Sequence, residues 1–147
     1  MSALEVQAQT KCCAEAVALT AIKQRPDSFF FEGKPSKWTY DMGVILEGVT
    51  DVWKQTGNAA YFNYVQKQID HFVDSDGNIR TYKMEDYNID NIKNGTSLLM
   101  LYRVTGKEKY WKAASKLRTQ LTNHPRTKQG GFWHKKIYPY QMWLDGL

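Results

Sequence analysis

The sequence has few of the features that mark membrane, disulfide-stabilised or metal-binding proteins. No apolar run in its 147 residues approaches the roughly 20 residues that cross a bilayer, so no membrane partner is expected. The N-terminal segment has no basic region followed by a long apolar stretch, which makes the cytoplasm the expected compartment. Cys12 and Cys13 are adjacent, and adjacent residues rarely satisfy disulfide geometry. The three histidines lie far apart without metal-ligand spacing, so neither a metal nor a cofactor is predicted.

Basic residues are not concentrated in any part of the chain. The formal net charge is +5, yet the Lys and Arg residues are scattered along the sequence. Nucleic-acid-binding domains usually carry a basic patch or stripe, so no nucleic-acid partner is expected and the charge indicates a solvated surface. The 42% hydrophobic and 24% charged content suits one soluble domain with a core.

Aromatic residues are abundant, at 14% of the chain, and many fall outside helical spacing. Exposed flat rings can stack on a ring-shaped ligand, whereas buried ones pack loops onto helices, and the sequence leaves both roles open. The aromatic residues in the connecting segments are Trp38, Tyr40, Tyr82, Tyr87, Phe132, Trp133, Tyr138 and Tyr140.

Apolar residues at three- and four-residue steps predict a series of helices. Residues 3–24 form the first, which Arg25-Pro26-Asp27 ends because proline cannot continue a helix. Residues 41–56 form the second, and Gly57 suits the left-handed position after it. Residues 90–105 form another helix, and each of these last two is followed by a further one. The chain is therefore predicted to be all-α.

The helices repeat with a fixed period. Asp41 corresponds to Asp90 and Gly57 to Gly106, at an offset of 49 residues (90 − 41 and 106 − 57), and a third copy is expected to begin at Asp145. A period of this size is typical of helical-hairpin repeats, which form either an open solenoid or a closed ring. The connections between hairpins are long and the turns within them short. Long connections gathered at one end would build one functional face.

The segment 130-GGFWHKKIYPYQMWLDGL-147 is richest in chemically useful residues. Asp145 is expected at the start of a helix within an apolar collar, which favours its protonated form. Asp90 is the corresponding carboxylate of the preceding repeat, and neighbouring hairpins would place the two side by side. An aspartate at a helix start is, however, also an ordinary helix cap.

Four stretches carry a family resemblance: WTYDMGVILEGV, DSDGNIRTY, YNIDNIKNGTSLLMLYRVTG and HPRTKQGGFWHKKIYPYQMWLDGL. Together they resemble the unsaturated rhamnogalacturonyl hydrolases of glycoside hydrolase family 105, relatives of the unsaturated glucuronyl hydrolases of family 88. The resemblance implies an (α/α)6 toroid of six helical hairpins. Residues 1–147 would form a single partial domain, about the first three hairpins.

The resemblance also implies a reaction and a site. The expected partner is an oligosaccharide with a 4,5-unsaturated galacturonic acid at its non-reducing end, as a pectin lyase leaves. An acid protonates C4, water adds at C5, and the rearranging hemiketal opens the glycosidic bond. Asp145 matches the general acid/base, and Asp90 matches a second acid that orients the sugar or water. Five further residues are expected to line the site, two of them only by their place in the repeat: His134, Lys135, Trp143, Tyr40 and Tyr87.

Two other classes of function stay open. One is a helical-repeat module that binds a glycan on its aromatic face without turnover. The other is a different toroid enzyme, such as an unsaturated glucuronyl hydrolase or a sugar epimerase. Three hairpins without the rest of a ring would expose an apolar face, so this chain is expected to self-associate through its open edge, and by itself to fold poorly or have little activity.

Overall fold

The computed structural model describes residues 3–27 and 35–144, with side chains described for 13–27 and 35–144. Over these residues the chain is helical, and its only β-pairings are two isolated bridges, Val73 with Ile79 and Arg126 with Phe132. None of the described helices has the length and apolar content that crossing a membrane requires. The helices are α1 (Ala3–Gln24), α2 (Tyr40–Thr56), α3 (Ala59–Asp70), α4 (Gly95–Thr105) and α5 (Glu108–Asn123).

Local signals set most of the helix ends, as the sequence predicts. Gly57 follows α2 with a φ of 68°, and its N–H donates to the Trp53 carbonyl at 2.8 Å. Asn58 then caps α3, where its side chain accepts a hydrogen bond from the Ala60 N–H at 3.0 Å. Gly106 repeats the left-handed geometry of Gly57 after α4, with a φ of 67°.

The predicted start of the fourth helix at Asp90 is wrong. Asp90 lies in a separate 3-10 turn, Ile89–Ile92, and α4 begins only at Gly95. The cause is a tertiary contact. Residues 93–94 pack against α2 at Gly43, which has no side chain. A Cβ at Gly43 would come within 2.7 Å of Lys93 Cγ and 2.9 Å of Asn94 Oδ1. The Asn94 side chain also donates to the Thr39 carbonyl at 2.9 Å, which fixes this break in the helix.

Two helical hairpins, α2–α3 and α4–α5, pack side by side, and α1 packs against α2. Their shared core is apolar and fully buried, so burial of these side chains is the main source of the fold's stability. Its largest buried members include Met42, Leu46, Tyr61, Ile69, Leu98, Leu101 and Tyr110. The hairpin architecture is therefore confirmed for the two described repeats. A third hairpin beginning at Asp145 lies outside the described residues.

The long segments that follow α3 and α5 meet each other. The Ile89 N–H donates to the His134 carbonyl at 3.0 Å, and the Lys136 N–H donates to the Asp86 carbonyl at 3.2 Å. Residues 71–94 and 124–144 are thus joined by backbone hydrogen bonds, although more than 40 residues separate the paired positions. This junction places the chemically distinctive residues of the two segments together.

Candidate active site

A carboxylate, an ammonium group and an imidazole meet at this junction. Asp90 Oδ2 lies 3.0 Å from Lys135 Nζ and 3.8 Å from His134 Nε2. The Asp90 side chain is 15% exposed, so its ion pair with Lys135 is shielded from bulk water. Shielding strengthens the attraction between these charges and keeps the carboxylate in one position.

Local backbone structure aims each of these side chains. The Asn88 side chain accepts a hydrogen bond from the Asp90 N–H at 3.1 Å and so caps the turn that carries Asp90. On the other segment, the His134 N–H donates to the Gln141 carbonyl at 2.7 Å, closing a compact loop. Within that loop, the Tyr138 N–H donates to the Lys135 carbonyl at 2.9 Å.

Aromatic rings stack on one side of this charged group. The His134 and Trp143 rings are nearly parallel, with centroids 3.7 Å apart and planes 7° apart. Tyr138 continues the arrangement, its ring centroid 5.9 Å from that of Trp143. Lys135 Nζ lies 6.0 Å from the Trp143 centroid, and Trp143 is 44% exposed. The result is a partly open indole beside a cation and a carboxylate, a surface suited to an acidic sugar.

His134 is unusual because its side chain is only 1% exposed and neither ring nitrogen has a hydrogen-bond partner among the described residues. The 3.8 Å separation from Asp90 is too long for a hydrogen bond. Buried polar atoms are normally paired, because leaving one unpaired costs about 1–3 kcal/mol. A buried, unpaired imidazole beside a carboxylate therefore marks His134 as a candidate part of the site.

The structure brings four of the seven predicted site residues together: Asp90, His134, Lys135 and Trp143. Tyr87 packs edge-on against His124, at a centroid distance of 5.6 Å. Tyr40 begins α2 and is about half exposed. The residue before it, Thr39, is bound through its carbonyl by Asn94. Asp145 lies outside the described residues.

Two buried polar residues of the site region were missed in the sequence. Gln120 and His124, at the end of α5, bond the carbonyls of Asn88 and Trp133. Gln120 lies three residues after buried Leu117, so it interrupts the apolar stripe of the helix. A polar residue on an otherwise apolar helix face is the sequence feature by which Gln120 could have been found.

His124 makes the stability of this region pH-dependent. Its burial lowers its pKa below the usual histidine value of 6.5, the hydrogen bond to the Trp133 carbonyl opposes this, and the Arg126 charge adds to the lowering. The folded state therefore prefers neutral His124, and the stability that this residue contributes is present above about pH 6.5 and is lost as the pH falls below it.

We expect His124→Gln to weaken this pH dependence. Glutamine does not titrate, so between pH 8 and pH 5 the wild type should lose more free energy of unfolding than the variant. Urea unfolding at both pH values measures this difference. Equal losses in the two proteins would show that His124 does not contribute.

Comparisons with known proteins relate this chain to glycoside hydrolases. The family model described as Glycosyl Hydrolase Family 88 matches residues 13–147. The chain is 27% identical over 116 residues to the unsaturated rhamnogalacturonyl hydrolase YesR of Bacillus subtilis (strain 168), and this match covers 75% of the chain and 32% of that protein. A solved glycoside hydrolase from family 105 of C. acetobutylicum ATCC 824 is 49% identical, with a TM-score of 0.73, over 75% of this chain and 31% of that one.

The chain thus spans about a third of the length of these two relatives. The structural match confirms the all-α fold and its likeness to the toroidal family 105 enzymes. The family model extends over nearly all of the sequence, including the segment that contributes His134, Lys135 and Trp143. This chain belongs to glycosyl hydrolase family 88.

Proposed function

We propose that the protein removes a 4,5-unsaturated galacturonic acid from the non-reducing end of rhamnogalacturonan oligosaccharides. The observation that carries this proposal is the junction of Asp90, Lys135 and His134 beside the Trp143 ring. Similarity to a protein named unsaturated rhamnogalacturonyl hydrolase supports the galacturonyl substrate.

The substrate's shape and charge fit these groups. The double bond flattens one side of the sugar ring, and a flat, partly apolar face packs well on an indole such as Trp143. Lys135 supplies a positive charge for the uronate carboxylate while it holds Asp90. His134 stacks on Trp143 and so supports the indole beside Lys135, where the sugar ring would lie.

The proposed reaction is a hydration of the double bond. Asp145 gives its proton to C4, which leaves the positive charge shared between C5 and the ring oxygen. Water adds to C5 and returns a proton to Asp145, so one carboxyl acts first as acid and then as base. The hemiketal opens by breaking the bond between C5 and the ring oxygen, and the hemiacetal left at C1 releases the aglycone. Asp90 orients the water or the sugar throughout.

Isotope labelling tests this reaction. With lyase-generated rhamnogalacturonan oligosaccharides in D2O, the ultraviolet absorbance of the double bond should fall in step with aglycone release. The product should carry one deuterium at C4 in a single configuration. Aglycone release without stereospecific deuterium at C4 would contradict hydration, because direct hydrolysis leaves C4 untouched during the enzymatic step.

Two alternatives give different results in the same assay. A glycan-binding module would bind the oligosaccharide, as calorimetry measures, without any loss of absorbance. An unsaturated glucuronyl hydrolase would show a higher kcat/KM on oligosaccharides derived from glucuronic acid than on those from rhamnogalacturonan, which share the terminal unsaturated sugar and differ in linkage and aglycone. Comparison of the two substrates at equal concentration therefore separates the galacturonyl from the glucuronyl activity.

Self-association of this chain remains a prediction. The groove between α4 and α5 has a volume of about 500 Å³ and is lined mainly by apolar side chains, among them the exposed Leu99 and Trp111. At the opposite edge, α1 exposes Val17 and Leu19, so two copies can meet head to tail. Sedimentation equilibrium should show association that Trp111→Lys reduces and Val44→Lys, a change at an exposed site on α2, does not. A monomeric wild type would contradict this prediction.

A further inference from the structure

We propose that Gln120 and His124 are positioning residues that hold Asp90 opposite Lys135 and His134. This inference rests on the proposed function, because it assigns these residues to the same site. Both are buried, with Gln120 at 0% exposure and His124 at 4%, and they lie one helical turn apart at the end of α5. From there they reach the two segments that build the site.

Gln120 holds the segment that carries Asp90. Its Nε2 donates to the Asn88 carbonyl at 2.9 Å, while the Asn88 side chain accepts from the Asp90 N–H. The Tyr82 hydroxyl donates to Gln120 Oε1 at 2.8 Å, which fixes the direction of the amide. A shift of Gln120 is therefore transmitted through one residue to the backbone of Asp90.

His124 holds the other segment. Its Nε2 donates to the Trp133 carbonyl at 2.7 Å, directly before His134 and Lys135. The imidazole packs edge-on against both Tyr87 and Phe132, whose ring centroids lie 5.6 Å and 5.3 Å from its own. The Trp133 N–H also donates to the Pro125 carbonyl at 3.0 Å, so both backbone polar groups of Trp133 are hydrogen-bonded.

The hydrogen-bond roles within the pair are mutually dependent. Because the Trp133 carbonyl only accepts, Nε2 carries the hydrogen and Nδ1 is the acceptor. Gln120 Nε2, 3.4 Å from Nδ1, supplies the matching donor. Rotating the Gln120 amide would place an oxygen against the Asn88 carbonyl. Only one His124 tautomer and one Gln120 amide orientation can therefore make the hydrogen bonds to both segments. This requirement fixes the distance between the two segments.

Replacing Gln120 by methionine, which has a similar length and no donor, tests the first half of the pair. We expect kcat/KM on unsaturated uronides to fall by about 10- to 100-fold in the whole protein, the size of loss seen when hydrogen bonds that orient metal ligands are removed. Gln68→Met is the matched control, because Gln68 is equally buried but donates to the Arg25 carbonyl on α1's side of the fold. Its kcat/KM should stay within about twofold of the wild type. Equal losses in the two variants would overturn the proposal.

A rescue experiment tests the second half. In His124→Gln the amide N–H can still donate to the Trp133 carbonyl, whereas His124→Leu has no donor. We expect His124→Gln to keep kcat/KM within about threefold of the wild type and His124→Leu to lose at least 10-fold. Similar activity in both variants would overturn the positioning role of His124, since that role depends on the donor to the Trp133 carbonyl.

A structural measurement separates this proposal from the proposed function. In crystals of Gln120→Met, the separation of Asp90 Oδ2 and Lys135 Nζ should increase from 3.0 Å to beyond hydrogen-bonding distance. This result does not depend on which reaction the protein catalyses. If the wild type hydrates no unsaturated uronide, the proposed function fails, and the separation alone decides the positioning role. An unchanged 3.0 Å contact would overturn it.

Discussion

Asp90→Asn is expected to lower kcat/KM of the whole protein on unsaturated uronides by about 10²-fold, the loss that misplacing a group that orients the water or the sugar can cause. The change preserves the size of the side chain but removes the negative charge that pairs with Lys135 at 3.0 Å. It also gives the buried His134 an uncharged neighbour in place of a carboxylate. Steady-state kinetics on purified disaccharide, with thermal unfolding of each variant, measure the effect.

The repeat supplies a matched control for this substitution. Asp41 is the equivalent of Asp90 in the preceding repeat, and it lies in the first turn of α2, where a negative charge interacts favourably with the helix dipole. Asp41→Asn should therefore cost a little stability, about 0.3–1 kcal/mol, and leave kcat/KM within about twofold. Comparable losses of activity in the two variants would show that Asp90 has no special role.

Gly77→Ala should be among the most damaging single substitutions for stability. Gly77 has a φ of 72°, and a Cβ there would lie 2.5 Å from Lys112 Cβ and 2.8 Å from the Ala113 nitrogen. The left-handed backbone costs a residue with a side chain about 1–2 kcal/mol, and forcing extra volume between packed elements costs about 1–3 kcal/mol more. We expect the free energy of unfolding to fall by about 2–5 kcal/mol, as urea titration can measure.

Gly57→Ala separates the cost of the left-handed backbone from the cost of the added volume. Gly57 has nearly the same φ, 68°, but a Cβ there meets nothing within 4 Å. The variant should lose only the backbone contribution of about 1–2 kcal/mol. If Gly77→Ala and Gly57→Ala lose the same free energy of unfolding, α5 does not pack tightly against the 74–78 turn in solution.

The sequence predicts the helices well because their ends depend on neighbouring residues. Gly57, Asn58 and Gly106 act within one turn of the helices they bound, so their roles can be read locally. Asp90 differs, because the break before α4 results from the fit of residues 93–94 against Gly43, which is 50 residues earlier in the chain. No local pattern contains that contact.

The site residues likewise divide into those that the sequence indicated and those whose partners it did not. The family resemblance identified His134, Lys135 and Trp143, and the structure shows that the first two lie against Asp90 while Trp143 stacks on His134. The repeat alone would have paired Asp90 with Asp145 and did not indicate the ion pair with Lys135. Gln120 and His124 act through backbone carbonyls, which every residue carries, so their partners could not be predicted from residue types.

The exchange of Asp145 for asparagine is the most direct test of the central claim, that the protein hydrates an unsaturated uronide with one carboxyl as acid and base. Absorbance of the double bond and release of the aglycone should be followed together in the wild type and the variant of the whole protein, since this chain by itself is expected to have little activity. The account predicts that both signals change in the wild type and that Asp145→Asn loses at least about 10³-fold in rate, at the upper part of the range for acid–base catalysis. Turnover that survives in Asp145→Asn, in a folded protein, would contradict it.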